Sequence, residues 1–280
     1  MTASALVVTG ATGHIGRLVA SRLSGDGVDV RLLVRDPARL AEPLHELDAA
    51  VADYADGAAV REALTGARTV LMVSAAESAD RLAKHRAFVD AAAAAGVQHV
   101  VYTSFTNAAP DSTFTLARDH AATEQHLRAS GMAWTFLRDN LYLDVLREFA
   151  AGEGAIRGPA GDGRVAGVAR ADVAAAACAV LSDIAPHLGR VYELSGPEAF
   201  TLSEAAETLT RATGRRVTFQ DESIEEAYAS RAPYGAPPWQ VEAWVSTYTA
   251  IAAGELAHVS DDVERLTGRP PLSLERLLSG

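Results

Sequence analysis

A short apolar run followed by three regularly spaced glycines, close to the start of the chain, most constrains the fold. Residues 5–8 (Ala-Leu-Val-Val) have the apolar, β-branched composition of a buried parallel strand. Gly10, Gly13 and Gly16 follow at intervals of three, and from Ile15 onward apolar residues recur at helical spacing. A strand that enters a helix through such a loop directs the free N–H groups and the positive end of the helix dipole at one point. The loop therefore predicts a diphosphate-binding site, with a purely structural Gly-rich turn as the alternative.

Apolar strands alternate with helical stretches through the first half of the chain. Further strands are predicted over residues 28–34, 49–53, 69–74, 99–103 and 133–137. Helices are predicted from near Pro37, over 57–64 and over 79–96. This alternation predicts a Rossmann-like α/β fold, in which a doubly wound parallel sheet binds ligands at the carboxyl ends of its strands.

The sequence pattern changes after residue 151. A loop-rich segment with many glycines begins at Gly152 and leads to an Ala-rich helix over 173–181, which Asp172 is expected to cap. Further strands are predicted over 191–195 and 217–219, on either side of a helix over 202–213 that Gly214 closes. We therefore predict an NAD(P)-binding domain over residues 1–151 and a small C-terminal substrate lobe over 152–280, interleaved with the sheet.

Composition argues against several classes of function. The net charge of −11 disfavours sequence-independent binding to nucleic acid or to an anionic membrane. The single cysteine, Cys178, excludes an internal disulfide framework and fits a small core residue in a reducing compartment. No apolar stretch reaches the length of a membrane span, no signal-peptide pattern opens the chain, and no histidine pair has metal-ligand spacing. We expect a cytoplasmic protein, monomeric or homodimeric, that binds a small aromatic or quinone substrate, with no metal, nucleic-acid or membrane partner.

The end of the second predicted strand indicates which dinucleotide binds. Arg35 lies about twenty residues beyond the glycine loop, where an acidic residue holds the ribose of NAD and an arginine suits a 2′-phosphate. We predict NADP(H), held by bidentate contacts from Arg35 with help from Arg17 and Arg39. NAD(H) stays possible because Asp36 follows directly, and a solvated surface arginine is the alternative interpretation of Arg35.

The other strand ends supply further candidates. Asp53 and Tyr54 either reach the adenine or cap the following helix, and the small residues Ser74 and Ala75 lie where the backbone must pass a cofactor. The predicted cofactor-binding residues from the strand ends are Gly10, Thr12, Gly13, His14, Ile15, Gly16, Arg35, Asp53, Tyr54, Ser74, Ala75 and Thr103.

Five further segments carry motifs that occur together in one family. They are residues 102–104 (YTS), 116–124 (LARDHAATE), 137–142 (LRDNLY), 170–172 (RAD) and 191–196 (VYELSG). With the glycine loop, they resemble NmrA-like proteins, which are atypical short-chain dehydrogenase/reductases, and most of all the bacterial NAD(P)H:quinone oxidoreductases. The resemblance covers nearly the whole chain, weakens after about residue 223, and implies a reductase that uses a nicotinamide cofactor.

The resemblance also implies that one catalytic group is missing. Ordinary members combine a serine after the fifth strand with a Tyr-x-x-x-Lys pair, in which the tyrosine gives the proton and the lysine holds the ribose. If Glu124 aligns with the glutamate four residues past that lysine, His120 replaces the lysine and Leu116 replaces the tyrosine. A quinone does not require that donor, because hydride transfer gives a phenolate-like anion that is far more stable than an alkoxide. The protein must mainly hold two flat rings in contact and exclude water.

Four residues are predicted to act in catalysis. Ser104 either hydrogen-bonds the accepting oxygen or only ends its strand. His120, an imidazole, donates a proton or binds the ribose of the cofactor, with a satisfied histidine beneath the cofactor as the alternative. Asn140 and Tyr142 follow the sixth strand on the predicted nicotinamide side, where the Asn140 amide is expected to orient the carboxamide or the substrate.

Aromatic residues concentrate between residues 228 and 248, around a Pro-rich turn over 233–238. Such a cluster suits a flat aromatic substrate, although Trp244 and Tyr248, four residues apart, fit ordinary helix packing equally well. We predict an NADPH-dependent reductase that transfers hydride to a quinone or a conjugated or aromatic ketone. The alternatives are a ketoreductase that tailors an aromatic polyketide antibiotic with substrate-assisted protonation, and a non-catalytic NADP(H)-sensing regulator.

Overall fold

A computed structural model describes residues 5–151 and 154–279. In chain order the strands are β1 Leu6–Thr9, β2 Val30–Val34, β3 Ala49–Val51, β4 Thr69–Met72, β5 His99–Phe105, β6 Ala133–Asp139, β7 Ala155–Gly158, β8 Arg164–Val165, β9 Arg190–Leu194, β10 Phe200–Thr201 and β11 Thr218–Asp221. The helices are α1 His14–Gly25, α2 Gly57–Ala63, α3 Arg81–Ala94, α4 Thr115–Ala129, α5 Leu143–Ala151, α6 Arg170–Ser182, α7 Leu202–Thr213, α8 Ile224–Arg231, α9 Pro238–Ala252, α10 Asp262–Thr267 and α11 Leu274–Ser279. None of the described helices is both long and apolar enough to cross a membrane.

Seven of the strands form one sheet, in the order β3-β2-β1-β4-β5-β6-β9. Every pairing from β3 to β5 is parallel, as the nearly continuous apolar strands predict. The predicted Rossmann-like, doubly wound fold is confirmed. The strand order reverses between β1 and β4, which is the point where such sheets bind their ligands.

The described chain divides into two compact units. The first comprises the described parts of Met1–Ser104, together with Ala121–Leu137 and Val173–Tyr192. The second comprises Phe105–His120, Arg138–Asp172 and Glu193–Gly280, again in their described parts. The predicted domain boundary after residue 151 stays a prediction, and its neighbour Gly152 lies outside the described residues.

Each unit has its own apolar core. In the first unit, Met72 and Tyr102 from the sheet pack with Phe88 of α3 and Phe136 of β6. Cys178 of α6 is buried, as predicted for a small core residue. In the second unit, the core combines apolar residues of α5, α7 and α9, including Leu146, Leu209 and Ile251. Each such buried side chain contributes about 1.5–3 kcal/mol of transfer free energy.

Helix α7 shows how local signals set the element boundaries. The hydroxyl of Thr201 accepts a hydrogen bond from the N–H of Glu204, and the Glu204 carboxylate accepts from the N–H of Thr201. At the other end Gly214 adopts a φ of +68°, which L side chains rarely adopt. The predicted helix over 202–213 is therefore confirmed at both ends.

Two predictions about local structure were wrong. The helix expected from near Pro37 is a pair of 3-10 turns, Pro37–Arg39 and Leu44–Glu46, because Pro43 cannot donate an N–H inside an α-helix. Asp172 does not cap α6, because the helix already begins at Arg170, whose N–H is bound by the Asp144 carboxylate at 2.9 Å.

Asp172 has a different structural role within the second unit. Its carboxylate accepts a hydrogen bond from the N–H of Leu272 at 2.7 Å and pairs with the Arg269 guanidinium at 2.7 Å. The buried carboxylate thereby ties the start of α6 to the segment that precedes α11.

Candidate cofactor-binding and active site

The glycine loop between β1 and α1 has the shape that close approach of a ligand requires. Gly10 adopts a φ of +67°, and its carbonyl accepts a hydrogen bond from the N–H of Gly13 at 2.9 Å. A Cβ on Gly16 would lie 2.4 Å from the carbonyl group of Gly10, so only glycine allows α1 to pack on the loop. A Cβ on Gly13 would meet only the Gly10 oxygen, at 3.3 Å, so the surface above Gly13 is open to a ligand.

The N-terminus of α1 has backbone donors without protein partners among the described residues. No side chain caps the helix, and its first turn carries no acidic residue. No described residue accepts a hydrogen bond from the backbone N–H groups of His14, Ile15 or Gly16. Donors that converge at a helix N-terminus favour a phosphate group.

Three arginines are predicted to contact the 2′-phosphate, and Arg35 among them directly follows β2. Arg35, Arg17 and Arg39 are all exposed, and none of them forms an ion pair with a described carboxylate. Asp36, the residue that would favour NAD(H), instead accepts a hydrogen bond from the N–H of Ala38 at 3.0 Å and so holds the turn that follows. This arrangement leaves guanidinium groups available where a 2′-phosphate is expected.

Tyr54 ties together the strand ends at the reversal point of the sheet. Its hydroxyl donates to the carbonyl of Val73 at 2.8 Å and is hydrogen-bonded to Thr9, whose Oγ1 accepts from the N–H of Val73 at 2.9 Å. Burial raises the pKa of the phenol well above its usual value, so the group stays neutral. The capping alternative for Asp53 and Tyr54 was wrong, because Asp56 caps α2 through the N–H of Ala59.

Asp53 itself has a local role. Its carboxylate accepts a hydrogen bond from the N–H of Ala55 at 2.9 Å, which is a turn within the loop between β3 and α2. Its contact with the adenine stays a prediction.

The loop after β4 is fixed by buried side chains. The N–H of Ser74 donates to Thr103 Oγ1 at 2.8 Å, and the N–H of Ala75 donates to His85 Nε2 at 2.9 Å. The N–H groups of Ser74 and Ala75 are therefore both hydrogen-bonded within the protein. That a cofactor passes beside this loop stays a prediction.

His85 is a structural residue that sequence reasoning missed. Burial lowers the pKa of its imidazole to about 3, so the ring is neutral. Since Nε2 accepts from Ala75, the ring hydrogen lies on Nδ1 and is donated to Thr123 Oγ1 at 2.9 Å. The sequence indicated His85 only as one residue on a helix face, and its partners Ala75 and Thr123 lie 10 and 38 residues away, outside that helix.

Ser104 lies within β5 and is buried. Its hydroxyl donates to Glu124 Oε1 at 2.6 Å, and Glu124 also pairs with Arg128 at 3.2 Å. The Arg128 guanidinium is held in turn over the stacked rings of Trp134 and Phe136, at 4.9 and 4.7 Å. Because the hydrogen of Ser104 is given to Glu124, the hydroxyl presents its lone pairs to any further partner.

His120 belongs to the second unit and is buried. Its ring lies 6.1 Å from that of Phe105, at an angle of 31°. Leu116, one turn earlier on α4, is half-buried and has no proton to give. Helix α4 contains no tyrosine, and the role of His120 toward a cofactor or substrate stays a prediction.

The amide of Asn140 is engaged within the second unit. Its Nδ2 donates to the carbonyl of Leu256 at 3.0 Å, and its Oδ1 accepts from the N–H of Leu141 at 2.7 Å. These bonds fix the amide plane directly after β6. Its predicted role toward the carboxamide or substrate stays a prediction.

Tyr142 is bonded to a buried carboxyl group. Its hydroxyl donates to Asp139 Oδ2 at 2.7 Å, while the Arg170 guanidinium lies over its ring at 5.2 Å. Burial raises the pKa of Asp139 to about 8, and the bond from Tyr142 opposes that rise only in part. Sequence reasoning recorded Asp139 only as part of a motif.

The aromatic residues of the second unit serve mixed purposes. Tyr248 packs directly on Gly158, where a Cβ would lie 2.4 Å from its ring, and the Arg231 guanidinium lies 5.2 Å from its centroid. The helix-packing interpretation of Tyr248 is therefore supported. Trp244 meets the exposed Tyr234 edge-on at 6.1 Å, and a role for this pair toward a substrate stays a prediction. Within the described residues, no cluster of His, Cys, Asp and Glu could hold a metal ion.

Comparisons with known proteins agree with this geometry. The NmrA-like family model matches residues 2–244. The chain is 35% identical to quinone oxidoreductase 2 of Escherichia coli over 280 residues, covering 98% of this chain and 97% of that protein. It is 37% identical to a (4-alkanoyl-5-oxo-2,5-dihydrofuran-3-yl)methyl phosphate reductase of Streptomyces griseus over 273 residues, covering 95% and 93%. The crystal structure of an Escherichia coli NADPH-dependent quinone oxidoreductase in complex with NADPH superposes with a TM-score of 0.89 at 35% identity, covering 98% of each chain. This chain belongs to the NmrA-like family.

Proposed function

We propose that the protein is an NADPH-dependent reductase that transfers hydride to a quinone or a conjugated or aromatic ketone. The observation that carries this proposal is the open N-terminus of α1 above Gly13, with three backbone donors that no described residue uses. The similar proteins from Escherichia coli and Streptomyces griseus are named as a quinone oxidoreductase and as a reductase, which supports a reductive reaction.

The residues of the first unit fit the dinucleotide. His14, Ile15 and Gly16 would bind the diphosphate through their N–H groups, and Arg35 would bind the 2′-phosphate. The carboxylate of Asp36 is engaged with the N–H of Ala38, which favours NADP(H) over NAD(H). When bound, the cofactor supplies the hydride.

The polar residues available for catalysis favour an acceptor whose reduced form is a stabilised anion. Leu116 offers no acid, and the hydrogen of Ser104 is given to Glu124. A reduced quinone delocalises its charge over an aromatic ring, so the protein can protonate it late or leave the proton to solvent. The protein's own contribution is then mainly to hold the acceptor beside the cofactor and to limit the access of water.

Turnover measurements test this proposal. The purified protein would be mixed with NADPH and, one at a time, benzoquinones, naphthoquinones and hydroxylated polycyclic ketones, while the absorbance of the reduced nicotinamide is followed. We expect oxidation of NADPH with at least one class of quinone, and binding of NADPH by calorimetry in the absence of an acceptor.

The same experiment separates the alternatives. Turnover on hydroxylated polycyclic ketones but not on simple quinones would favour the polyketide ketoreductase, because a phenol beside the carbonyl can supply the missing proton. Tight binding of NADPH without turnover of any acceptor would favour a cofactor-sensing regulator. The absence of heat with either reduced nucleotide would refute the proposal itself. The cytoplasmic location and the oligomeric state stay predictions.

A further inference from the structure

Asp139 is a buried carboxyl group with which no described residue forms an ion pair. It is the last residue of β6 and is 1% exposed. Its backbone carbonyl accepts from the N–H of Thr106, and its side chain receives the hydroxyl hydrogen of Tyr142 on Oδ2. Oδ1 is buried, and no described residue hydrogen-bonds it. An ionised carboxylate in this position would keep one oxygen bare, which is costly, so the group is expected to carry a proton.

The charged groups on the neighbouring elements are engaged elsewhere. On β9, Glu193 pairs with Arg138 at 3.1 Å and accepts the hydroxyl of Thr106 at 2.9 Å. At the start of α6, Arg170 lies over the face of the Tyr142 ring and reaches Glu148 at 3.5 Å.

On α4, the titratable His120 faces the ring of Phe105. No described residue forms an ion pair with Asp139, and two causes set its pKa, which is about 8: burial raises it and the bond from Tyr142 lowers it.

Tyr142 connects the buried acid to the outside. Its side chain is half-buried, whereas that of Asp139 is fully buried. When the carboxyl group is neutral, the hydrogen bond between them can reverse, so that the carboxyl O–H donates to the phenol oxygen and the phenol O–H turns to another acceptor.

We propose that Asp139 and Tyr142 form a proton relay in which Asp139 stores a proton and Tyr142 delivers it to the reduced substrate. This inference rests on the proposed reductase function. Tyr142 is the catalytic residue of the pair, and Asp139 acts through it as a positioning residue. The relay would replace the proton donor that a tyrosine provides in ordinary members and that Leu116 cannot provide here.

Each O–H bond that forms in the relay is matched by an O–H bond that breaks. After hydride transfer the substrate is an anion with a charged oxygen, and the O–H bond of Tyr142 breaks as a new O–H bond forms on that oxygen. The O–H bond of Asp139 breaks in turn, and its proton restores the phenol. Asp139 is left as a carboxylate, which solvent reprotonates before the next turnover. No oxidant or reductant is needed beyond the hydride donor.

Infrared titration and pH profiles together test the relay. In wild-type protein without ligands, we expect the carbonyl stretch of one protonated carboxyl group to disappear as the pH rises through about 8, and D139N to lack that band. In Y142F the band should disappear at a higher pH, because the bond that lowers the pKa is gone. At neutral pH the turnover of a naphthoquinone should fall at least about tenfold in D139N and in Y142F, a modest loss for general-acid catalysis. The wild-type rate should decline above a pH of about 8, and D139N should lose that decline.

The matched control is D172N, which also removes a buried carboxylate of the second unit, but one that pairs with Arg269. If D172N folds, it should keep both the infrared band and the wild-type pH profile. If D139N does not fold, as judged by circular dichroism, Y142F decides by its shifted band and its reduced rate.

The relay and the reductase can fail separately. Wild-type turnover with a pH profile unchanged in D139N and Y142F would overturn the relay and leave the reductase intact, as would a wild-type band that has already disappeared near pH 4. No oxidation of NADPH by wild-type protein with any acceptor would overturn both.

Discussion

Replacing Arg35 with alanine should weaken NADPH binding and leave NADH binding nearly unchanged. The Arg35 side chain is exposed, so the substitution breaks no ion pair and no side-chain hydrogen bond among the described residues. Hydrogen bonds to a charged group contribute about 1.5–3 kcal/mol, and an exposed site belongs at the lower end of that range. A loss of about 1.5–2 kcal/mol corresponds to a roughly 10- to 30-fold increase in the Kd for NADPH.

Calorimetric titration of both nucleotides measures this effect directly. The Kd of NADPH and of NADH would be determined for wild-type protein, R35A and the control R86A, which removes an exposed arginine of α3. The control should bind both nucleotides as wild type does. In R35D, the new carboxylate should repel the 2′-phosphate and accept the ribose hydroxyl, so that the preference between the nucleotides moves further toward NADH.

The decisive quantity is the ratio of the two Kd values within each variant. Equal losses for NADPH and NADH in R35A would mean that Arg35 does not read the 2′-phosphate. An unchanged Kd for both would assign Arg35 to the solvated surface.

Two further predictions concern the glycine loop and the response to acid. G13A should keep the fold, because φ at Gly13 is −100° and a Cβ there meets only one oxygen, yet it should bind NADPH more weakly. G16A should instead lose about 1–3 kcal/mol of its free energy of unfolding through overpacking, which urea unfolding would measure. Equal NADPH affinity in wild type and G13A would contradict a phosphate above this loop. The free energy of unfolding should fall as the pH drops below about 6.5. Burial lowers the pKa of His85 to about 3 and that of His99 to about 4, so at these pH values the unfolded chain binds protons that the native state does not bind. Urea unfolding from pH about 7 to about 4 should show a shallower fall in H99N, and an equally steep one would refute the assignment.

Local signals account for the parts of the fold that the sequence predicted. The glycine spacing sets the turn between β1 and α1, because Gly16 tolerates no Cβ against the Gly10 carbonyl. The apolar strands set the parallel sheet, and Gly214 sets the end of α7. The predicted helix near Pro37 was wrong because Pro43 has no backbone N–H to donate inside an α-helix.

Roles that depend on distant partners could not be predicted. Asp172 precedes an Ala-rich run, which is typical of a helix cap, but its carboxylate is used by Leu272, one hundred residues away. His85 fixes the loop after β4 through Ala75 and Thr123, and nothing in its own helix indicates either bond. Sequence patterns report which face of an element is buried, whereas hydrogen bonds between elements depend on the register in which those elements pack.

The direction of one hydrogen bond narrows the chemistry available to the proposed reductase. The Ser104 hydroxyl gives its hydrogen to Glu124, so it presents lone pairs to a further partner, and its predicted hydrogen bond to the accepting oxygen stays a prediction. Asn140 gives one amide hydrogen to Leu256, and Leu116 has none to give. With the Ser104 hydrogen given to Glu124 and none on Leu116, the proposed reductase needs either another proton donor or an acceptor that delocalises the charge itself. The proposed relay from Asp139 through Tyr142 would be such a proton donor, and a quinone is an acceptor that delocalises the charge. The proposed relay and the proposed acceptor therefore both answer the same lack of a tyrosine acid.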